Sequence, residues 1–339
     1  YLAVNNFANL SGFTLGRYTG MSGVTVSNSS NVTLTNAVQA AGPIEIVGGN
    51  LAINSTLTAT GNNTVLLTGT GTVTDGASGA IVADKLGILG GNVTLDGVNH
   101  NVGTLAASGV SGFTYVNNGA LTIGTVNPVG ISATGPVAIS TRTGDLTLSE
   151  SIATSNTTAS AIMLNAGSAA VAGAAAGGDI VVSGTPALTM GAGGRATLYT
   201  GSVTGSSTLL NLSGLASGSG RFRYNSDEIS SGYTTALGAG LFAVYREQPS
   251  ITVQANSQTI TYGDAVPIIT GNLGSAVNGR PQLEQVIQVP LQLGGIAADA
   301  GGAGDDAHAI GVFQLVEGCF EFLAVFAFDA AAHATTAWV

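Results

Sequence analysis

The stretch GGNVTLDG (Gly90 to Gly97) is a short alternating strand set between turn formers. It recurs as GGNLAI (Gly48 to Ile53), NGALTI (Asn118 to Ile123), TGDLTL (Thr143 to Leu148) and GGDIVV (Gly177 to Val182). A repeated unit constrains the fold more than any other feature, because one unit cannot bury its apolar face alone and must stack on its neighbours. The apolar pairs Val24/Val26, Val32/Leu34, Ile44/Ile46, Leu51/Ile53, Val93/Leu95, Leu121/Ile123, Val137/Ile139 and Leu146/Leu148 all have period two. Alternation puts each pair on one side of a strand, with Thr, Ala, Asn or Glu45 on the other. Gly, Asn, Ser and Asp fill the gaps because they close short turns.

Strands this short suit a sandwich or barrel, or a solenoid of stacked coils. The solenoid is favoured. The repeats continue for about two hundred residues without a change of phase. Hairpin dipeptides are few, chiefly Asp75-Gly76, Asp96-Gly97 and Asn118-Gly119. Aromatics are only 6% of the chain, as expected of narrow coils filled by Val, Ile and Leu. The expected fold is therefore all-β, a right-handed parallel β-helix, followed by a partial β-rich module and an irregular tail. Three strands per coil give roughly 20 to 27 residues per turn. Coils about 4.8 Å apart make residues 1 to about 215 a rod on the order of 40 to 50 Å long.

Composition excludes several function classes. Charged residues are 8% of the chain, against an ordinary share of roughly 25%, and Lys85 is the one lysine. Eight basic residues face eighteen acidic ones, so nucleic-acid binding has no electrostatic footing. Anionic membrane surfaces are disfavoured for the same reason. A single cysteine, Cys319, excludes an intrachain disulfide and any multi-cysteine metal site. The chain starts at Tyr1 with no basic segment and reads as a fragment or processed piece.

Four regions are expected. Residues 1–220 carry the β-helix repeats, within which GSAAVAGAAAGG (Gly167 to Gly178) reads as a loop leaving the coil or a short Ala-rich helix. Residues 221–249 form an end cap and linker. Residues 250–272 begin a new β module. Residues 273–339 are unassigned: local signals there disagree, and the segment reads as out-of-frame or disordered.

Strands led by Gly-Asp or Gly-Asn, as in TGDLTL and GGDIVV, resemble the coils of filamentous-haemagglutinin-type exoproteins. These are large secreted adhesins of Gram-negative bacteria exported by two-partner secretion. SITVQANSQTITYGDAVP (Ser250 to Pro267) resembles the start of the glycine-rich, mostly-β MBG-type modules that follow such coils, through Tyr262, Gly263, Asp264 and Pro267. The coil resemblance covers about residues 20 to 248 and the module resemblance about 250 to 272. The secretion domain of that family carries an Asn-Pro-Asn-Gly-like motif. Asn127-Pro128-Val129-Gly130 departs from it, sits mid-repeat, and reads as a turn.

Candidate chemistry is sparse, and no catalytic residue, cofactor or metal is expected. Asp75, Asp84, Asp96, Asp145 and Asp179 stand mostly beside glycine and read as turn residues bonding their own backbone rather than as calcium or lyase carboxylates. His100 has no partner at a recognisable spacing. Cys319 reads as a buried inert thiol, or as part of an out-of-frame segment, rather than as a nucleophile. Gly191 to Arg195 lacks the Lys-Ser/Thr of a phosphate loop and reads as a turn. Arg221, Arg223, Asp227 and Glu228, with Arg246 and Glu247, form the densest charged group. They read as local ion pairs covering the open edge of the last coil, or as a ligand patch there. Eight Asn-x-Ser/Thr sequons include Asn31, Asn54 and Asn92, which are candidate glycosylation sites.

Together these features, and the resemblance, imply a non-enzymatic rod-like segment of an adhesin, secreted or held at a bacterial cell surface. It would attach to host or matrix glycans or proteins, and an outer-membrane secretion partner would export the full-length protein. A structural spacer without a ligand, or a β-helix polysaccharide lyase or hydrolase, are the alternatives.

Overall fold

The computed structural model describes residues 2–5, 12–16, 18–216 and 218–248, together with the strands Val253–Ala255, Gly271–Leu273, His308–Leu315 and Phe322–Asp329. The chain divides into two compact units, Tyr1–Gln248 and Pro249–Val339.

The first unit is a parallel β-solenoid. Every named strand pair in it is parallel, and all but the pairing of Phe222–Arg223 with the last coil strand join a strand to its equivalent one coil later. One face stacks Val24–Ser27, Ile44–Gly48, Thr64–Gly69 and their successors. A second face stacks Asn31–Leu34, Leu51–Ile53, Thr72–Asp75, Asn92–Leu95, Gly112–Asn117, Val137–Thr141, Ile162–Ala166, Arg195–Thr200 and Gly240–Tyr245. The third begins with Tyr18–Met21, Val38–Ala40 and Thr56–Ala59. Two long strands turn a corner without a break. Ala80–Leu89 pairs through Ala80–Val82 with the third face and through Lys85–Leu89 with the first, and Asn101–Val110 stacks on it.

The core is what the period-two pairs require. Val26, Ile46, Leu67 and Ile88 lie in one register column. Val32, Leu51, Val73, Val93, Phe113, Val137, Ile162, Ala196 and Leu241 lie in another. All are buried. Each such aliphatic side chain removed from water stabilises the fold by roughly 1.5 to 3 kcal/mol, so the ladders dominate the first unit.

Asparagine at the strand entrance joins one coil to the next. Asn31 Oδ1 accepts from the backbone N–H of Asn50 at 3.1 Å and from its side-chain amide at 2.9 Å. Asn50 Oδ1 in turn accepts from Thr72 N–H at 2.8 Å. Aspartates do the same: Asp145 Oδ1 accepts from Asp179 N–H, and Asp179 from Ser202 N–H. Their side chains therefore bond the next coil rather than their own turn, because stacked turns place that coil's N–H directly against the carboxylate. The leading glycine is needed where φ is positive, as at Gly90 (+72°), where a Cβ would also come 2.6 Å from the Gly69 carbonyl oxygen.

The coil lengthens along the chain. Corner partners are 19 residues apart at Asn31/Asn50, 22 at Asn50/Thr72 and 34 at Asp145/Asp179. The last exceeds the expected coil because residues 167–178 leave it as a loop, with no helix. That loop reaches the end of the solenoid, where Gly173 N–H donates to the Arg246 carbonyl. The short 3-10 helix Ser207–Asn211 packs beside Ile180–Val182, burying Leu209. Phe222–Arg223 pairs with Ala243–Val244, along the edge of the last coil strand. The second-face sheet thus runs on past residue 220.

In the second unit, Val253–Ala255 pairs antiparallel with Gly271–Leu273, and His308–Leu315 with Phe322–Asp329. Tyr262, Gly263, Asp264, Pro267, Cys319 and His333 lie outside the described residues, as does most of the 273–339 tail.

Candidate functional site

Three places bear on function: the end of the solenoid, a buried polar cluster near its middle, and the outer faces.

At the end, the strand Gly240–Tyr245 brings the charged group together. Arg221 stacks its guanidinium 4.7 Å from the Phe242 ring centre and donates to the Ala239 carbonyl at 2.6 Å. Arg223 lies 5.7 Å from the same ring and 5.5 Å from Tyr233, and donates to the carbonyls of Gly220 and Phe222. Tyr224 stacks on Tyr245 at 5.3 Å. Asp227 accepts from the N–H groups of Ala172, Ile229 and Ser230. Burial alone would raise its pKa, but those three donors and the charge of Arg246 hold it below its ordinary value. Glu228 is exposed. Arg246 is fully buried and donates to the Gly178 carbonyl at 2.9 Å. Burial lowers its pKa against the pull of Glu228, Asp179 and Asp227.

The contacts of Arg221, Arg223 and Asp227 given by the structure are with backbone groups and aromatic rings. Asp227 is occupied by backbone donors. The flat guanidinium groups of Arg221 and Arg223 find aromatic faces and carbonyl oxygens instead. The group ties a loop, a short strand and the final coil strand into one closure.

The polar cluster is the feature the sequence pattern hides. His100 is fully buried. Its Nδ1 accepts from Ile81 N–H at 2.9 Å, and its Nε2 lies 2.9 Å from Asp75 Oδ2. A backbone N–H can only donate, so Nδ1 is bare and the ring proton sits on Nε2, donating to Asp75. Asp75 Oδ2 also accepts from Gly97 N–H at 2.8 Å. Tyr115 stacks on the imidazole at 5.6 Å and its hydroxyl donates to Asn117 Oδ1. Asn117 is satisfied at both ends, donating to the carbonyls of Val102, Gly119 and Ala120 and accepting from Val102 N–H. Burial lowers the His100 pKa despite the hydrogen bond and charge of Asp75, and raises that of Tyr115 well above its ordinary value. Both side chains of the pair are shielded from solvent, His100 at 0% and Asp75 at 3% exposure.

The signal was available. Asp75 stands where Ile53 stands one coil earlier, in an inward column, and a polar residue in an inward slot of a period-two strand requires a buried partner. The partner is 25 residues on, a distance that only coil stacking makes short.

The outer faces carry regular columns. Thr33, Ala52, Thr74, Thr94 and Thr114 align on the second face, and Thr104, Thr122 and Thr147 on the first. All are partly exposed. An open groove of ≈ 450 Å³ between coils is lined by Thr58, Thr60, Val82, Asp84, Asn101 and Gly103 among others. Among the described residues, no three metal-ligating side chains cluster. Asn31, Asn54 and Asn92 are all exposed at coil corners. Gly191 to Gly194 forms a turn, and Arg195 donates to the Leu237 carbonyl. Asn127-Pro128 is a cis bond in a loop closed by a Thr125–Val129 bridge.

Compared with family models, with curated proteins and with solved structures, the chain matches none.

Proposed function

We propose that this chain is a non-enzymatic, rod-like segment of a bacterial adhesin of the filamentous-haemagglutinin type, carried to the cell surface or beyond by two-partner secretion. The reading rests on one observation: in-register, uncharged Thr and Asn columns along a stiff parallel solenoid. Such a surface offers the same hydroxyl and amide groups again and again about 4.8 Å apart. It suits shallow, multivalent contact with host or matrix glycans or proteins, where many weak contacts add through effective concentration. The sequons at Asn31, Asn54 and Asn92 lie on the same surface, so glycan attached there would cover part of it.

A ligand-free spacer is the second reading. It is favoured by the pairing of Asn31 with Asn50 and of Asn50 with Thr72, since polar groups already bonded to one another have less to offer a ligand.

The test is to incubate the full chain with a panel of polysaccharides and host-cell surface proteins, scoring retention and new sugar chain ends. Saturable retention without cleavage supports the adhesin. Absence of both signals leaves the spacer. New chain ends abolished by substituting groove residue Asp84→Asn would replace both readings with a lyase or hydrolase.

A further inference from the structure

Among the described residues, the apolar ladder is interrupted by titratable groups near the middle of the solenoid. In the inward column of the second face, Ile53 is followed one coil later by Asp75. One coil after Asp75, at the corner that follows Asn92–Leu95, the chain carries His100, and next in the stack come Tyr115 and Asn117. The imidazole sits between strands. On one side it accepts the N–H of Ile81, in the strand Ala80–Leu89; on the other it donates to Asp75, at the end of Thr72–Asp75. Asp75 passes the link on to Gly97 N–H. One neutral side chain therefore joins two consecutive coils, in the position where a strand-to-strand backbone bond would otherwise lie.

We propose that the Asp75–His100 pair is an acid-sensitive joint in the rod: protonation of His100 breaks its bond from Ile81 and loosens the coils between residues 75 and 117. The geometry dictates the failure. Nε2 already carries a proton, so the added one must go to Nδ1. Two N–H groups then point at each other across 2.9 Å, and the Ile81 donor loses its acceptor in a buried setting, which is costly. The groups facing the ring are Asp75 on Thr72–Asp75, Asp96 just beyond Asn92–Leu95, and Tyr115 on Gly112–Asn117. The strand Ala80–Leu89 offers only the Ile81 N–H, while its Asp84 lines the outer groove. Both carboxylates favour a charged ring, but burial outweighs them and holds the ring below its ordinary value of 6.5.

The direction follows from linkage. The opened state binds a proton near pH 6.5 and the folded state only lower down. Stability is complete above 6.5 and falls as pH drops from there to the folded value. Over that window the opening equilibrium of the joint rises by up to about tenfold per pH unit. In a solenoid each coil contacts only its neighbours, so the loss stays local.

The experiment is hydrogen exchange on the full chain between pH 7.5 and 5, above the range where carboxylates ordinarily titrate, corrected for intrinsic rates. Peptides covering 80–89 and 97–103 are expected to lose protection progressively as pH falls below 6.5, by up to about tenfold per pH unit, while 137–148 holds. His100→Gln, which keeps one acceptor and one donor without a titratable ring, is expected to abolish the pH dependence. Should that variant fail to fold, imidazole NMR on the unaltered chain decides: a ring with its proton on Nε2 and a pKa below 6.5 supports the joint. Uniform protection across the pH range, an unchanged pH dependence in His100→Gln, or a ring titrating at or above 6.5 would each overturn it.

Discussion

The coils from Val24 to Ile123 and those from Val137 to Tyr245 run through the same two sheets, but they are held by different means. The early coils are short and nearly uniform. They rely on aliphatic ladders inside and on Asn corners, with Asn31 on Asn50 and Asn50 on Thr72. The late coils are longer and throw out loops. There, polar side chains bridge distant stretches: Asp227 holds the loop at Ala172, Glu247 accepts from Val203 N–H, and Arg246 reaches Gly178. Repetition alone stabilises a coil only while its length is constant. Once loops of different length enter, their unpaired backbone groups must be satisfied individually, and charged residues take up that work.

Substitutions in the two regions should separate these modes. The largest effect is expected for Leu67→Ala, in the early ladder: about 2 to 5 kcal/mol lost in denaturant unfolding, since the side chain is fully buried. In the late coils the matching break is Gly178→Ala. Gly178 has φ +152°, and a Cβ there would lie 2.1 Å from the Gly144 carbonyl oxygen. A cost of about 3 kcal/mol is expected, seen as lost exchange protection in Ile180–Val182 with Val65–Leu67 unchanged. Arg246→Lys keeps the charge but not the planar fork, and about 2 kcal/mol should be lost from the last coils in the same assay. The smallest effect belongs to Asn50→Ala, about 1 kcal/mol, confined to the coils that carry Asn31 and Thr72. Equal spreading of all four losses over the whole unit would erase the distinction.

Much of the fold was legible in the sequence, and the reasons are specific. Pairs such as Val93/Leu95 and Leu146/Leu148 combine two large apolar residues with period two, and every pair so read is buried. The third face was harder to see. Its strands pair one large residue with a small one, as in Val38/Ala40, Leu57/Ala59, Ile131/Ala133 and Ile152/Thr154. A hydrophobic pattern thins out where the coil is too narrow for two large side chains. The corner-turning strand Ala80–Leu89 was invisible for a different reason, since no glycine marks its bend until Gly87. At the end of the solenoid the sequence shows Arg221, Arg223, Asp227 and Glu228 close together in the chain. It could not assign their contacts, because which loop supplies a carbonyl or an N–H depends on how far 167–178 reaches. For the Asp75–His100 link the inward slot of Asp75 was legible, but its partner, 25 residues on, becomes a neighbour only through coil stacking.

In a parallel solenoid, equivalent residues lie one strand spacing apart in each successive coil. Pulsed electron-electron distances would test that directly, in a chain with Cys319→Ser and spin labels at Thr33→Cys with Thr114→Cys, then Thr33→Cys with Met163→Cys. Thr33 and Thr114 are separated by the coils of Ala52, Thr74 and Thr94, so about 19 Å is expected between backbones. Met163 lies two coils further, at about 29 Å. Distances that grow by this step confirm a parallel stack; a second distance equal to or shorter than the first would mean the chain folds back on itself, and the solenoid would be wrong.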